Sequence, residues 1–236
     1  KVINSGQITT FSEYSIISRN RLTRVIKNKY KIKTLPLMGC SIPVAISTLE
    51  KILKIKKNKN ILILGAGALG LPMIHYAKYI GLKNIDVLDK NVQVIKKANI
   101  FGADNIFLSL NDINLINNLK NNFYDYIADT TGSSHLLNHL LAYPIICKIA
   151  FLGVPKLNEK ISFNSLKINY GLELLGSYGG NFNPKKDLVR YLNFLLKSKF
   201  NFNQYIDKVY DLQNINTLID DYKKRKIIGK ALIKFK

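Results

Sequence analysis

From residue 60 onward the apolar positions follow two alternating patterns. Short, almost unbroken apolar runs recur as "NILILGAG" (60–67), "NIDVLDK" (84–90), "NIFLSL" (105–110), "YDYIADTTG" (124–132), "CKIAFLGVP" (147–155) and "LELLGSYGG" (172–180). Runs of Ile, Leu, Val and Ala with little polar alternation suit parallel strands covered on both faces. Between them, "LGLPMIHYAKYIGL" and "NVQVIKKANIFG" repeat their apolar residues at three and four, the spacing of a helix with one face in a core. Strands alternating with such helices predict right-handed βαβ crossovers and a doubly wound, parallel six-stranded α/β sheet.

The two ends depart from this rhythm. Residues 1–32 read as strand and turn: "QITTFSEYSII" alternates and "SRNRLTRVI" turns back. Beyond residue 180, "NPKKDLVRYLNFLLKSK" is helical, with Asn183 as its N-cap and Pro184 in the first turn. "YIDKVYDL" and "KALIKF" read as strands on either side of the helix "NINTLIDDYKKRK". No low-complexity linker separates these parts, so the ends are predicted to form a second lobe packed against the sheet domain.

Composition narrows the class. A chain of 236 residues, 47% apolar and 10% aromatic, can bury a real core and does not read as disordered. The net charge of +21 raises attraction to nucleic acid as a function, but the lysines are scattered and not gathered on one aromatic-laced stripe. A solvated basic surface is expected, with no specific nucleic-acid partner. Two cysteines exclude a disulfide framework and suit a reducing compartment, so a cytoplasmic location is expected. The longest apolar stretch, "LLAYPIICKIAFLGVP", is interrupted by Pro144 and Lys148, and neither a membrane span nor a signal peptide is read. The chain opens on Lys1 and not on Met, from which a missing upstream portion is expected.

One motif carries chemistry. In "ILILGAGALG", Gly65, Gly67 and Gly70 form G-x-G-x-x-G directly after a strand and at the start of a helix, the context in which the pattern binds a dinucleotide. Gly65 permits the tight turn, Gly67 lets the backbone approach a pyrophosphate, and Gly70 lets helix and strand close together. The amides around Ala68 and Leu69 then lie at a helix N-terminus, which favours an anion. Nineteen residues past Gly70, Asp89 ends the second strand. Its carboxylate suits ribose hydroxyls and repels a 2′-phosphate, so NAD is favoured over NADP, with the adjacent Lys90 leaving an opening for NADP. The competing reading is a glycine turn in an α/β fold that binds no nucleotide.

Together the pieces "TFSEYSIISRNRL", "LPLMGCSIP", "NILILGAGALGL", "VLDKN", "FGAD", "DTTGS", "FLGVP", "LLGSYGG" and "KALIKF" run in an order and spacing that resembles the medium-chain dehydrogenase/reductases of the zinc-containing alcohol dehydrogenase family. The resemblance implies a Rossmann domain over residues 33–178 with strand order 3-2-1-4-5-6. Residues 1–32 and 179–236 would then be the remnant of a GroES-like catalytic lobe. It further implies hydride transfer between NAD(H) and an alcohol or polyol, or its aldehyde or ketone. Zinc would be a second cofactor, and the protein a homo-oligomer, dimer or tetramer, pairing through "LELLGSYGG". By resemblance Cys40 is a catalytic zinc ligand. Thr130 and Thr131 lie beside the adenosine, Gly153 and Val154 meet the nicotinamide carboxamide, Ser177 and Tyr178 flank that end, and Lys230 approaches the pyrophosphate. Cys147 has no family counterpart and reads as core.

The departures are equally specific. The family's other zinc ligands and its proton-relay hydroxyl lie in a part that would precede Lys1. Val44 and Ala45 stand where the family commonly has a Thr-Gly pair. His135 and His139, spaced i, i+4, lack a third ligand and read as a helix surface pair, while His75 reads as helix packing. A zinc-free reductase of the same superfamily and a truncated, non-catalytic nucleotide-binding module remain as alternatives.

Overall fold

The computed structural model of the protein describes residues 12–25 and 32–235. Its central feature is the six-stranded parallel sheet of β1 (Asn60–Leu64), β2 (Asn84–Leu88), β3 (Asn105–Phe107), β4 (Tyr126–Asp129), β5 (Lys148–Phe151) and β6 (Glu173–Gly176). The order is β3-β2-β1-β4-β5-β6, a Rossmann arrangement, as the family resemblance implies. All but the first residue of β1 is buried because both sheet faces are covered. Side chains alternate across a strand, so Ile61 and Ile63 enter one core while Leu62 and Leu64 enter another.

The helices divide between those faces. One core takes in α1 (Ser41–Ser47), α2 (Gly70–Ile80) and α3 (Val94–Phe101); the other takes in α4 (Ile113–Lys120) and α5 (Ser134–Ala142). The short α6 (Leu166–Asn169) leads into β6. Asp112 and Ser133 cap α4 and α5 by accepting backbone amides of the first turn. Because β1 lies between β2 and β4, the chain reverses direction of winding there, and the crevice at the carboxyl ends of those strands is where such sheets bind ligands.

The stretch "LPLMGCSIPVA" becomes helix. A 3₁₀ segment over Ile32–Gly39 leads through Cys40 into α1, which continues as a π-helical turn over Thr48–Ile52. Ile42, Ala45, Ile46, Leu49 and Leu53, spaced at three and four, are fully buried.

The C-terminal part packs onto that helical side. Helix α7 (Pro184–Lys197) is capped by Asn183 and carries Pro184 at its start, as predicted, and Tyr191, Leu192 and Leu195 join the core of α1 and α2. Arg190 grips Glu50 in a fork, at 2.5 and 2.8 Å, and the Tyr191 hydroxyl donates to Glu50 at 2.7 Å. After the single turn α8 (Phe202–Tyr205), β7 (Ile206–Asp211), α9 (Ile215–Lys223) and β8 (Lys230–Lys234) form a parallel strand pair with a crossover helix.

The N-terminal prediction is corrected where it can be compared. Residues 12–25 hold no strand; they contain a 3₁₀ turn at Arg19–Arg21, and Tyr14 and Ile16 are exposed. Alternation does not make a strand without a neighbouring strand to take its backbone bonds, and no described strand pairs with residues 12–25. The rest of the predicted strand, residues 7–11, lies outside the described residues. No described helix is long and apolar enough to cross a membrane.

Candidate dinucleotide site

The glycine turn is built by contact distances. Gly65 follows β1 at φ +88°, and a Cβ there would sit 2.6 Å from the Thr130 hydroxyl. A Cβ on Gly70 would lie 2.0 Å from the Gly65 carbonyl oxygen, so helix α2 starts hard against the strand it follows. A Cβ on Gly67 would meet only the Ile228 carbonyl, at 3.5 Å, which leaves this stretch of backbone open to a ligand. Ala68 and Leu69 complete the turn, and no side chain caps the first turn of α2. That helix end therefore offers amides and the positive end of its dipole to an anion.

Asp89 stands beside this turn, half-buried. One carboxylate oxygen accepts the Ala66 amide and the other the Asn91 amide, each at 2.9 Å. Two backbone bonds hold the group in place and leave it lone pairs for hydroxyl donors. Lys90 next to it is exposed.

Two further turns meet at the ends of β4 and β5. The Thr130 hydroxyl donates to the Leu64 carbonyl at 2.7 Å. The Thr131 hydroxyl donates to Asp129 at 2.7 Å, and that fully buried carboxylate also takes the amides of Thr131 and Gly132. Both threonines thus brace the turn by their hydroxyls. A Cβ on Gly153 would be 1.9 Å from the Gly132 nitrogen, so these turns pack backbone to backbone. Val154 is 90% exposed beyond it. After β6, the Ser177 and Thr48 hydroxyls bond at 2.7 Å while Tyr178 is 98% exposed.

Sequence reasoning missed two residues on the opposite wall. The Tyr205 hydroxyl donates to the Ala68 carbonyl at 2.7 Å, tying α8 to the glycine turn. Asp207 accepts the amides of Ile228 and Gly229 at 2.6 and 2.9 Å, which sets the lead-in to Lys230 beside Gly67. These pairs are separated by more than a hundred residues or read as plain strand, so no local signal exists for them.

The remaining candidates separate. Cys40 is exposed just before α1. Cys147 is core, as predicted, and burial pushes its thiol up to about 12. His75 packs among Phe101, Phe194 and Phe200, and burial lowers its pKa. The predicted surface pair is half right: His135 is exposed, but His139 lies against Tyr143 with its Nε2 buried. Asp86, passed over in the sequence, is fully buried in β2, where burial raises its pKa although Tyr124 and Asn105 donate to it. No group of three or more His, Cys, Asp or Glu able to hold a metal exists among the described residues.

A parallel sheet of this order with a glycine turn and a strand-end carboxylate is the arrangement found in α/β folds that bind dinucleotides. Comparison with known proteins narrows it. The chain is 22% identical over 228 residues to a probable S-(hydroxymethyl)glutathione dehydrogenase 1 of Schizosaccharomyces pombe, covering 93% of this chain and 59% of that protein. It is 24% identical over 221 residues to an S-(hydroxymethyl)glutathione dehydrogenase of Komagataella pastoris, covering 90% and 58%. Among solved structures, benzyl alcohol dehydrogenase from Acinetobacter calcoaceticus superposes with a TM-score of 0.80 at 25% identity, over 89% of this chain and 59% of that one. An alcohol dehydrogenase zinc-binding domain protein from Burkholderia ambifaria gives 0.79 at 19% identity. No family model matches the chain. The resemblance read from the motifs holds: the curated relatives are alcohol dehydrogenases, and the chain corresponds to their C-terminal part. It spans about 59% of the first of them.

Proposed function

We propose that this chain binds NAD(H) across the ends of β1, β2, β4 and β5 and serves an oxidoreductase acting on an alcohol or polyol, or on the matching aldehyde or ketone. The observation that carries this is the Gly65–Gly70 turn, closed against α2 and facing a braced Asp89. The described residues fit the cofactor. The amides at the start of α2 receive the pyrophosphate, with Lys230 as a point charge opposite. Asp89 accepts the adenosine ribose hydroxyls and disfavours a 2′-phosphate; Lys90 tempers that preference. Thr130 and Thr131 hold the wall of the adenosine side. The backbone of Gly153 and Val154, with Ser177 and Tyr178, orients the nicotinamide end. When bound, the nicotinamide supplies the hydride acceptor or donor.

Zinc does not fit the described residues alone. A catalytic zinc takes three protein ligands, and Cys40 offers one thiolate without a companion among the described residues. A zinc-free reductase of the same superfamily is the second reading, favoured by that lack of companion ligands among the described residues. Residues 33–178 form the nucleotide domain in this proposal, with 1–32 and 179–236 belonging to a GroES-like lobe. Homo-oligomers form by pairing β6 edges.

The test is a titration of NADH by fluorescence, followed by a panel of alcohols and polyols with NAD and the full-length protein, with and without zinc. Absence of NADH binding rejects the proposal. Binding without turnover of any substrate leaves a nucleotide-binding module.

A further inference from the structure

The half-buried ion pair between Lys97 and Asp207 joins α3 of the sheet to β7 of the C-terminal segment. Both side chains are largely withdrawn from solvent, at 14% and 16% exposure. The Asp207 carboxylate does more than pair. One oxygen takes Lys97; the other takes the amides of Ile228 and Gly229 at 2.6 and 2.9 Å. Those two residues lead directly into β8, which begins at Lys230. The same turn is pinned from two further sides. A Cβ on Gly229 would lie 2.1 Å from the Tyr205 carbonyl oxygen, and one on Gly67 would lie 3.5 Å from the Ile228 carbonyl oxygen. Tyr205 in turn donates to the Ala68 carbonyl of the glycine turn.

A carboxylate that accepts two adjacent amides holds a backbone segment tightly, and a paired cation keeps that carboxylate from turning to solvent. From this arrangement we infer that Asp207, held by Lys97, is a positioning residue for the dinucleotide: it sets the 228–229 turn so that Lys230 stands over the phosphate-binding turn. This rests on the cofactor reading above. Asp207 does not touch the cofactor; it acts through the place it gives Lys230.

A double-mutant cycle on the full-length protein tests it, with NADH affinity read by fluorescence titration and folding by thermal unfolding. Asp207→Asn keeps an acceptor but loses the pair with Lys97, and it is expected to weaken NADH binding about tenfold. In the Lys230→Ala background the same change is expected to weaken binding by less than about twofold, because the effect has lost its carrier. Lys97→Met, which leaves the carboxylate intact, is expected to show the same dependence on Lys230, and it serves if Asp207→Asn does not fold. Equal losses in both backgrounds, or none in either, overturn the positioning role while leaving cofactor binding in place. Absence of NADH binding by the unmodified protein overturns the cofactor reading itself, and this inference with it.

Discussion

At the scale of single residues, the glycines of one motif have different duties, and mutation separates them. Gly70→Ala drives a Cβ to 2.0 Å from the Gly65 carbonyl oxygen. It is expected to cost about 3 kcal/mol or more in urea unfolding, since backbone on both sides cannot yield. Gly67→Ala meets nothing closer than 3.5 Å and has no strained φ to oppose it. Its stability should stay within about 1 kcal/mol of the parent, yet NADH affinity should fall about tenfold or more as the methyl fills the proposed phosphate approach. If both variants lose stability and affinity together, the division of labour is wrong. Asp89 makes a third case. Asp89→Asn keeps one acceptor for the Ala66 amide but gives up the charge. NADH binding should weaken about tenfold, and the preference over NADPH should narrow, in paired titrations.

At the scale of elements, helix α1 is held in place by the segment after β6. The Ser47 hydroxyl donates to the Gly180 carbonyl, and Thr48 bonds Ser177, both at 2.7 Å. Gly180 sits at φ +66°, where a Cβ would be 2.7 Å from the Val44 carbonyl oxygen. Gly180→Ala is expected to lower unfolding free energy by about 3 kcal/mol, from left-handed strain and the close approach combined. The β7–α9 unit carries its own acid sensitivity. The Tyr210 hydroxyl, then Lys208, hold the Asp221 carboxyl down to about 2 from an ordinary 3.8. A depressed pKa means the unfolded chain takes up the proton first. The stabilisation is present above the ordinary value and is lost as pH falls toward the depressed one. Urea unfolding followed from about pH 4 down to about pH 2 should therefore show a shallower loss for Asp221→Asn than for the parent. Matching slopes would remove Asp221 from the acid response.

At the scale of the whole molecule, the open edge of the sheet is the feature with most consequence. Glu173 and Ser177 donate their amides to Cys147 and Phe151 of the neighbouring strand and its start. Amides alternate in direction along a strand, so those of Leu174 and Gly176 face away from β5, on the side that no described strand pairs. Gly176→Pro removes an edge donor without touching bonds to β5. Light scattering should find the parent as a dimer or larger and this variant as a monomer, with unchanged far-UV circular dichroism. Identical masses for both would end the edge-pairing proposal.

How much of this was legible depended on the range over which each signal acts. The order of strands and helices, the Asn183 cap and the glycine turn are local: period, cap chemistry and backbone sterics are written within about ten residues. The alternation over residues 12–17 misled, because a strand is a pairwise object and its partner is not in the local text. Helix α1 hid inside a stretch read for its cysteine, although Ile42, Ala45, Ile46 and Leu49 carried helix spacing all along.

The sequence by itself determined the doubly wound sheet, the turn suited to a pyrophosphate, and a carboxylate at the right strand end, since each follows from neighbouring residues obeying backbone geometry. Only the tertiary structure decided what stands across from that turn. Tyr205 reaches Ala68 over 137 positions, and Asp207 joins Lys97 to the turn before Lys230. Contacts of that kind leave no periodic trace in a chain, because their residues are brought together by the packing of whole elements and not by their spacing. Cys40 shows the same limit from the other side: its place before α1 is local, while a donor set for a metal is long-range, and the described residues bring it no companion.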